Sequence, residues 1–402
     1  MPLLPLAEAQ AHVLAACAPL HPSAVPLADA LGLVASVPVT AESAVPPFDN
    51  SAMDGYAVRA ADTASAPCEL VDLGTLAAGA SSDVVVGPGQ ALRIMTGAPM
   101  PAGADAIVMV ELTEPGAGAG TVCVAEAVAA GTSVRRAGSD VAAGDVVLAK
   151  GTLLTPGVLG VLASLGASRA PCHRRPLVGV LSTGDELVAA GQPLGPGQIR
   201  DANRPMLLAL VTQTGCTPID LGIVGDDRDA LVDAITAGVE RCDALVTSGG
   251  VSVGDFDLSK AVLDELGDMR WMQIAIRPAK PFAFGVVREV PVFGLPGNPV
   301  SSLVSFELLA RPGLRAMMGH PELHRPQVPA LADEAFDRTP DGKTHFVRAQ
   351  SSTGADGRVH VVPVPGQGSH QLAAMASADA LVVLADGDGV GPGAEVPVLL
   401  LG

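Results

Sequence analysis

Short apolar runs alternate with helical apolar spacings between residues 177 and 320. Residues 177–184 form a continuous apolar run that predicts a buried strand, and residues 203–214 have the spacing of a helix. The same alternation continues with a strand at 217–223 and a helix at 228–241. This pattern predicts a mostly parallel sheet with helices on both faces. Because such sheets bind ligands beyond the carboxyl ends of their strands, we expect the chemistry at that edge.

The pattern changes on both sides of this region. Short alternating runs with frequent turns predict a β-rich inserted domain before it and a small antiparallel β domain after it. We therefore expect a multidomain α/β protein. Its parts are a small N-terminal α/β linker domain (22–45 and 144–172), an inserted β-rich domain (46–143), the central α/β sheet domain (1–21 and 173–325) and a C-terminal β domain (326–402).

The stretch at residues 243–260 organises the central domain. A short apolar strand is followed by Gly249 and Gly250, then by Ser252 and Asp257, and then by a helical pattern. A strand, a Gly/Ser loop and a helix N-terminus in this order form a site for anions. The carboxylates beside it suggest that a divalent cation accompanies the anion. A tight turn whose aspartates only cap the helix is the alternative.

Three more motifs follow predicted strands of this sheet, so all four are expected at one edge. Their acids Glu186, Asp226 and Asp257 are then predicted to lie close together. Three carboxylates at such an edge indicate a Mg²⁺ site for a phosphorylated ligand. The four motifs are residues 182–186, 225–227, 249–257 and 294–299.

Polar residues are concentrated in one loop of the inserted domain. Asp49, Asn50, Ser51 and Asp54 lie between a Pro-Pro pair and a predicted strand. A turn capped by its own Asp and Ser side chains explains such density in one way. A polar loop presented to a ligand explains it in another.

Two other loops of this domain carry polar groups. Thr96 follows a predicted strand, and Arg135, Arg136 and Asp140 share one loop. An arginine pair beside an aspartate is most often a solvated ion-pair cluster of little energetic value. Use of the pair as an anion clamp is the other interpretation.

Cations and a hydroxyl also occur near the end of the central domain and beyond it. Arg277 and Lys280 follow a strand and are interleaved with prolines, which fix the backbone and favour an oxyanion contact over ordinary surface cations. Ser369 lies in a glycine-rich turn and can donate a hydrogen bond to an oxyanion.

Charge and composition narrow the function classes. The formal net charge is −18, which argues against nucleic acid or an anionic membrane as the main partner. An anionic substrate would therefore need a locally positive pocket. We find no apolar run long enough for a membrane helix, and the N-terminus carries Glu8 without preceding basic residues, so we expect no signal peptide. The six cysteines lack a C-x-x-C pair and suit a reducing cytoplasm.

Six motifs together resemble the bacterial molybdopterin molybdenumtransferase family (MoeA, related to the gephyrin E domain). They occur in family order over essentially the full chain: PPFDNSAMDGYAVR, RIMTGAPMP, STGDEL, TSGGVSVGDFD, KPFAFG and GLPGNPVS. The resemblance implies Mg²⁺-dependent conversion of adenylylated molybdopterin and molybdate into molybdenum cofactor, with release of AMP. It also implies an elongated homodimer in which the 49–56 loop of one subunit completes the partner's site. Other molybdenum cofactor biosynthesis proteins are further expected partners.

The resemblance assigns roles to residues by motif position. The residues with catalytic roles are Asp54, Thr96, Asp140, Glu186, Asp226 and Asp257, and the last three of these are also the metal ligands. The residues that hold the molybdate oxyanion are Arg277, Lys280, Arg348 and Ser369. In the loops at the strand ends, we predict substrate contacts from Ser248, Gly249, Gly250, Ser252 and Asn298.

Two positions depart from the family pattern. Gln273 stands where many relatives have lysine, which removes a cation from the approach of molybdate. Ala279 stands where glycine is usual, in the turn that presents Lys280. Both departures bear on efficiency more than on the class of reaction.

Two other functions compete with the enzyme. One is a paralogue of the same fold that acts as a binding or scaffold protein without turnover. The other is an unrelated nucleotide-binding enzyme. This interpretation leaves the polar loop at 46–56 unexplained, and the sequence lacks the usual glycine-rich nucleotide motifs. A scaffold has no reason to keep three carboxylates at the strand ends, which favours the enzyme.

Overall fold

The computed structural model describes residues 3–81, 83–250 and 258–401. The chain forms two compact units. The larger unit contains the chain up to Val25, Gly32–Ser36 and the chain from Pro171 onward. The smaller unit contains Pro26–Leu31 and Val37–Ala170. The finer division into four domains stays a prediction. No helix in the described part of the chain is both long and apolar enough to cross a membrane.

A six-stranded sheet is the centre of the larger unit. Its first four strands are parallel to one another, and the fifth runs antiparallel to both of its neighbours. This confirms the expected mostly parallel sheet. The antiparallel part begins at a hairpin whose turn residues, Arg288 and Glu289, both have positive φ, as a tight hairpin turn requires. The strands lie in the order Thr217–Val224, Leu177–Thr183, Ala244–Ser248, Val290–Leu295, Pro281–Val287 and Asp268–Gln273.

Helices cover both faces of this sheet and bury two apolar clusters. The longest helical segment follows the strand Val290–Leu295 and includes a π-helical turn. Pro312 explains that turn, because it has no N–H to donate to the carbonyl of Leu308, and Gln10 Nε2 donates to this carbonyl at 2.9 Å instead. The helical segments of the unit are Leu6–Ala16, Asn203–Thr214, Arg228–Arg241, Leu258–Leu266, Pro299–Ser305, Phe306–Ala310, Arg311–Met317 and Leu372–Ala376.

A closed five-stranded barrel forms the C-terminal part of the larger unit. The barrel closes through pairing of Thr344–Thr353 with Ala380–Leu384. It is not wholly antiparallel, as the sequence pattern had suggested, because Gln327–Ala332 runs parallel to Val359–Pro363. The short strand Ile276–Arg277 pairs in parallel with the start of the barrel strand Thr344–Thr353. The barrel strands are Thr344–Thr353, Val359–Pro363, Gln327–Ala332, Glu395–Leu400 and Ala380–Leu384.

The smaller unit is built on a second six-stranded sheet, as expected for the inserted β-rich domain. Gly55 is required in it, because an added Cβ would lie 2.1 Å from the carbonyl oxygen of Val108. The sheet order is Ala106–Met109, Gly55–Val58, Gln90–Ile94, Cys68–Leu76, Thr121–Val124 and Thr113–Pro115. This unit also contains the helix Pro156–Ser164, the 3₁₀ helices Leu27–Asp29, Ala60–Thr63 and Val110–Leu112, and the strand pairs Asn50–Ser51 with Val134–Arg135 and Val39–Thr40 with Val146–Leu148.

The remaining short strands flank these elements. They are Pro22–Pro26, Arg169–His173, Leu187–Val188, Ile199–Arg200, Phe336–Asp337 and Gly389–Val390.

Candidate functional site

Strand register brings the predicted loops to one edge of the central sheet. Ser182 pairs with Ser248, and Ser248 pairs with Leu295 on the next parallel strand. The loops after these three strands therefore begin at the same level. An added Cβ at Gly297 would lie 3.9 Å from the Cα of Gly249, so two of these loops are in contact.

Gly249 holds the turn after the central strand. Its φ is +98°, and an added Cβ would lie 2.7 Å from the carbonyl oxygen of Thr183. Its N–H donates to the carbonyl of Leu295 at 3.2 Å. A side chain at this position would meet fixed backbone, so glycine is needed for the loop to take this path.

A segment that the sequence analysis did not select fastens these strand ends. Asp201 is buried and accepts hydrogen bonds from Ser182 Oγ at 3.1 Å and from Arg204 Nε at 3.0 Å. Asn203 Nδ2 donates to Ser248 Oγ at 2.7 Å and to the carbonyl of Gly297 at 2.6 Å. The only sequence signal was a run of polar residues just before and at the start of a helix.

Two of the three predicted metal ligands, Glu186 and Asp226, lie in the described part of the chain, and both are exposed. Glu186 follows the strand Leu177–Thr183, and Asp226 follows Thr217–Val224. Asp185, which had no assigned role, accepts the backbone N–H of Asp226 through Oδ1 at 2.9 Å. Its carboxylate thus joins the two loops that carry these acids.

Asp257 and Ser252 lie outside the described residues. Within residues 3–81, 83–250 and 258–401, no group of three or more His, Cys, Asp or Glu side chains is arranged to hold a metal ion. The metal site of Glu186, Asp226 and Asp257 therefore stays a prediction that needs the loop before residue 258.

The turn with Arg277 and Lys280 is held by the C-terminal barrel. Ile276–Arg277 pairs in parallel with Thr344 and His345. The Arg277 side chain is 67% exposed, and its Nη1 lies 3.9 Å from Asp341 Oδ2. Lys280 is also exposed, so both cations are accessible to an oxyanion.

The two departures from the family pattern lie beside this turn. Ala279 is buried and has a φ of +75°, so alanine adopts the left-handed conformation that glycine adopts without strain. The turn is kept at a cost of about 1–2 kcal/mol. Gln273 ends the strand Asp268–Gln273, opposite Pro281, and is half-buried.

Arg348 is buried, with only 1% of its surface exposed. Its Nη2 donates to the carbonyl of Gly366 at 2.6 Å, while its buried Nε has no partner among the described residues. Burial lowers the pKa of this guanidinium. Arg348 therefore contacts the loop that leads to Ser369 and leaves its buried Nε–H unpaired among the described residues.

The loop of Ser369 is also tied to the central domain. The carbonyl of Ser369 accepts the N–H of Val300, at the start of the long helix, at 3.1 Å. Gln367 donates to the carbonyl of Arg348 at 2.9 Å and accepts its N–H at 3.1 Å. Asn298 precedes the same helix and is exposed.

In the smaller unit, Asp49 and Asp54 bind loops far away in sequence. Asp49 accepts from Arg136 Nη1 at 2.6 Å and from the N–H of Ala137 at 2.8 Å. Asp54 accepts both the N–H and the hydroxyl of Thr96. These contacts fasten three loops together, so the carboxylates do more than cap their own turn.

Other groups of this unit lie apart from those contacts. Ser51 is buried and bonds locally to Met53, and Asn50 is buried with its Oδ1 unpartnered among the described residues. Asp140 is exposed, and its N–H donates to the carbonyl of Val45 at 3.0 Å. Arg136 thus pairs with Asp49, whereas its own loop carries Asp140.

Family models match three successive parts of the chain. They are described as the MoeA N-terminal region (domain I and II) at residues 4–166, a probable molybdopterin binding domain at residues 179–316 and the MoeA C-terminal region (domain IV) at residues 332–401.

Similar proteins and solved structures agree with these matches. The molybdopterin molybdenumtransferase of Bacillus subtilis is 37% identical over 94% of this chain and 89% of its own length. That of Haemophilus influenzae is 42% identical over 85% of this chain and 84% of its own. A crystal structure of the molybdopterin biosynthesis MoeA protein from Pyrococcus horikoshii has a TM-score of 0.83 and 32% identity, with complete coverage of both chains. The chain therefore belongs to the MoeA family.

Proposed function

We propose that this chain is a molybdopterin molybdenumtransferase, which converts adenylylated molybdopterin and molybdate into molybdenum cofactor with release of AMP. Family membership makes it a transferase of molybdenum cofactor biosynthesis. The relatives from Bacillus subtilis and Haemophilus influenzae carry this enzyme name and cover most of the chain. A gephyrin-like scaffold is not favoured.

The buried guanidinium of Arg348 is the observation that carries the molybdate half of this reaction. A buried cation is costly unless an opposite charge accompanies it. Burial lowers the pKa of Arg348, and among the described residues its guanidinium bonds to the carbonyl of Gly366 and not to a carboxylate. A bound dianion would supply the opposite charge that this buried cation lacks.

The other residues proposed for this role suit a tetrahedral oxyanion by their chemistry. Arg277 and Lys280 are accessible cations on a turn held by the barrel, and Ser369 adds a hydroxyl. Charged donors form stronger hydrogen bonds to oxyanions than neutral donors do. Together with Arg348, these three residues are proposed to bind molybdate before it meets the sulfur atoms of the substrate.

The strand-end loops are proposed to bind the phosphates of adenylylated molybdopterin. Ser248 supplies a hydroxyl at the end of a central strand, Gly249 makes the turn, and Gly250 follows with a backbone N–H. Such loops suit anions because their N–H groups point toward the ligand. Ser252 and Asn298 extend the same two loops.

Mg²⁺ is proposed as the metal of this site, with Glu186, Asp226 and Asp257 as its ligands. Carboxylate oxygens are the donors that Mg²⁺ prefers. When bound, the ion would neutralise charge on the pyrophosphate group. Asp185 would keep the backbone of Asp226 in place for this role.

The chain is further proposed to act in the cytoplasm as a homodimer. The contacts of Asp49 and Asp54 fasten three polar loops of the smaller unit into a fixed surface. This preorganisation supports the proposal that Asp54, Thr96 and Asp140 complete the partner subunit's site.

AMP release tests this function. Adenylylated molybdopterin is incubated with Mg²⁺, with and without molybdate, for wild type, Glu186→Ala and the control Glu395→Ala. Glu395 is exposed on the barrel and pairs with Arg358, so its loss should not affect the reaction. Molybdate-dependent release that is lost only in Glu186→Ala would support the enzyme. A folded wild type that binds the substrate without releasing AMP would contradict it and favour a binding protein.

A further inference from the structure

Asn203 joins two loops of the strand-end site by a single nitrogen atom. This residue begins the helix Asn203–Thr214. Its Nδ2 lies 2.7 Å from Ser248 Oγ and 2.6 Å from the carbonyl oxygen of Gly297. The two contacts hold the end of a central strand against the loop that leads to the long helix.

The chemistry of the two partners fixes which atom donates. A carbonyl oxygen can only accept, so the amide nitrogen of Asn203, and not its oxygen, must face Gly297. The same nitrogen faces Ser248 Oγ, which therefore accepts a hydrogen bond. A hydroxyl that accepts here keeps its own proton for another partner.

That proton has no acceptor within the described part of the chain. Ser248 is 2% exposed, and its only described side-chain hydrogen bond is the one from Asn203. Ser182, its neighbour in strand register, differs in this respect. The Ser182 hydroxyl donates to the Asp201 carboxylate at 3.1 Å, so its proton is already used.

We propose that Asn203 is a positioning residue that makes the Ser248 hydroxyl a hydrogen-bond donor for a phosphate oxygen of the substrate. The proposal rests on the proposed function, because it assumes that adenylylated molybdopterin binds at these loops. Phosphate oxygens only accept hydrogen bonds, so they match a hydroxyl whose direction has been set in this way. The fixed amide would keep the hydroxyl from turning its lone pairs toward the anion.

A substitution of equal size separates this role from simple packing. In Asn203→Asp, the new carboxylate only accepts, so Ser248 would donate to it and lose its proton for the phosphate. We expect affinity for adenylylated molybdopterin to fall about tenfold, the effect of one charge-assisted hydrogen bond. Ser248→Ala should cause a similar loss. Thr212→Ala, on the same helix with its hydroxyl bonded to Leu208, should bind as wild type does.

A double-mutant cycle supplies the deciding measurement. Binding is measured at equilibrium with EDTA and without molybdate, so turnover is not needed. If Asn203 acts through Ser248, the uncharged variant Asn203→Ala should cause no further loss of affinity in a Ser248→Ala background. Full additivity of the two losses, or wild-type affinity of Ser248→Ala, would overturn the proposal.

Urea unfolding and a second substitution of Asn203 distinguish a positioning role from a purely structural one. Urea unfolding of each variant reports on packing, and Asn203→Ala, which removes the amide without adding an acceptor, should weaken binding less than Asn203→Asp. Equal losses in these two variants would indicate a merely structural role and overturn the proposal. A wild type that binds substrate but releases no AMP would contradict the proposed function and leave the role of Asn203 to be decided by the cycle.

Discussion

Thr96 donates both its backbone N–H and its hydroxyl to one oxygen of Asp54, each at 2.7 Å. The backbone bond is the largest cause of a lowered Asp54 pKa, followed by the hydroxyl bond, and Arg93 adds a favourable charge. Asp54 is therefore held ionised and in one orientation by a residue on another loop. A carboxylate held in this way is already oriented before any ligand binds.

The first prediction is that Thr96→Val raises the pKa of Asp54 towards its ordinary value. The shift should be partial, because the backbone N–H remains. A carboxyl with a lowered folded-state pKa stabilises the fold above its unfolded pKa, and this contribution is lost as the pH falls through the folded pKa. The variant should therefore lose less stability on acidification. Carboxyl NMR titration measures the change, with Thr96→Ser as control. A valine variant that titrates as wild type does would contradict the prediction.

The second prediction is that Arg348→Met weakens molybdate use without unfolding the protein. The variant loses the bond to Gly366 but also removes the cost of a buried charge, so its unfolding free energy should stay within about 2 kcal/mol of wild type. The molybdate concentration for half-maximal AMP release should rise about tenfold or more.

Arg325→Met is the control for a largely enclosed arginine that does have a carboxylate partner. Arg325 forms two hydrogen bonds with the buried Glu307, at 2.6 and 3.1 Å. Its loss leaves that carboxylate poorly paired and should cost about 3–5 kcal/mol of stability. If Arg348→Met were the more destabilised variant in urea, Arg348 would be a structural residue and the prediction would be wrong.

The third prediction concerns Asp185, which accepts the N–H of Asp226 at 2.9 Å. Asp185→Ala removes this acceptor, so the loop of Asp226 should lose its fixed position and the Mg²⁺ concentration for half-maximal AMP release should rise several-fold. Asp185→Asn keeps an acceptor oxygen and should remain close to wild type. Equal impairment of both variants would mean that the charge of Asp185 matters, and not its hydrogen bond.

The fourth prediction is that Gly249→Ala destabilises the protein by about 1–3 kcal/mol, because of its positive φ and the nearby Thr183 carbonyl. Gly160→Ala is the control. Gly160 lies within the helix Pro156–Ser164 with nothing within 4 Å of an added Cβ, so alanine should stabilise it by up to about 1 kcal/mol. Urea unfolding compares the two, and a neutral Gly249→Ala would contradict this account of the turn.

The alternation of apolar runs predicted the central sheet because its inner strands, such as Leu177–Thr183 and Ala244–Ser248, are buried on both faces. It also placed the strand-end loops correctly, since parallel strands end at one edge. It did not identify Asn203 or Asp185, because their partners are set by the register of strands far apart in the chain. Likewise, the sequence placed Arg136 beside Asp140, whereas folding pairs it with Asp49.

The sequence also did not show that the Arg348 side chain is buried. Arg348 sits in an alternating pattern, and nothing in its neighbours shows that the guanidinium is enclosed without a carboxylate. The π-helical turn was missed for a similar reason. The side chain that bonds to the freed carbonyl of Leu308 comes from Gln10, nearly three hundred residues earlier.

The strand Ile276–Arg277 belongs to the central domain by sequence and to the barrel by hydrogen bonding. The central sheet region and the barrel therefore share this structural element. A chimera that joined this central domain to the barrel of a distant relative would inherit a foreign template for the Arg277 turn. Such hybrids should lose affinity for molybdate even when both halves fold well, and compensating substitutions should appear along Thr344 and His345.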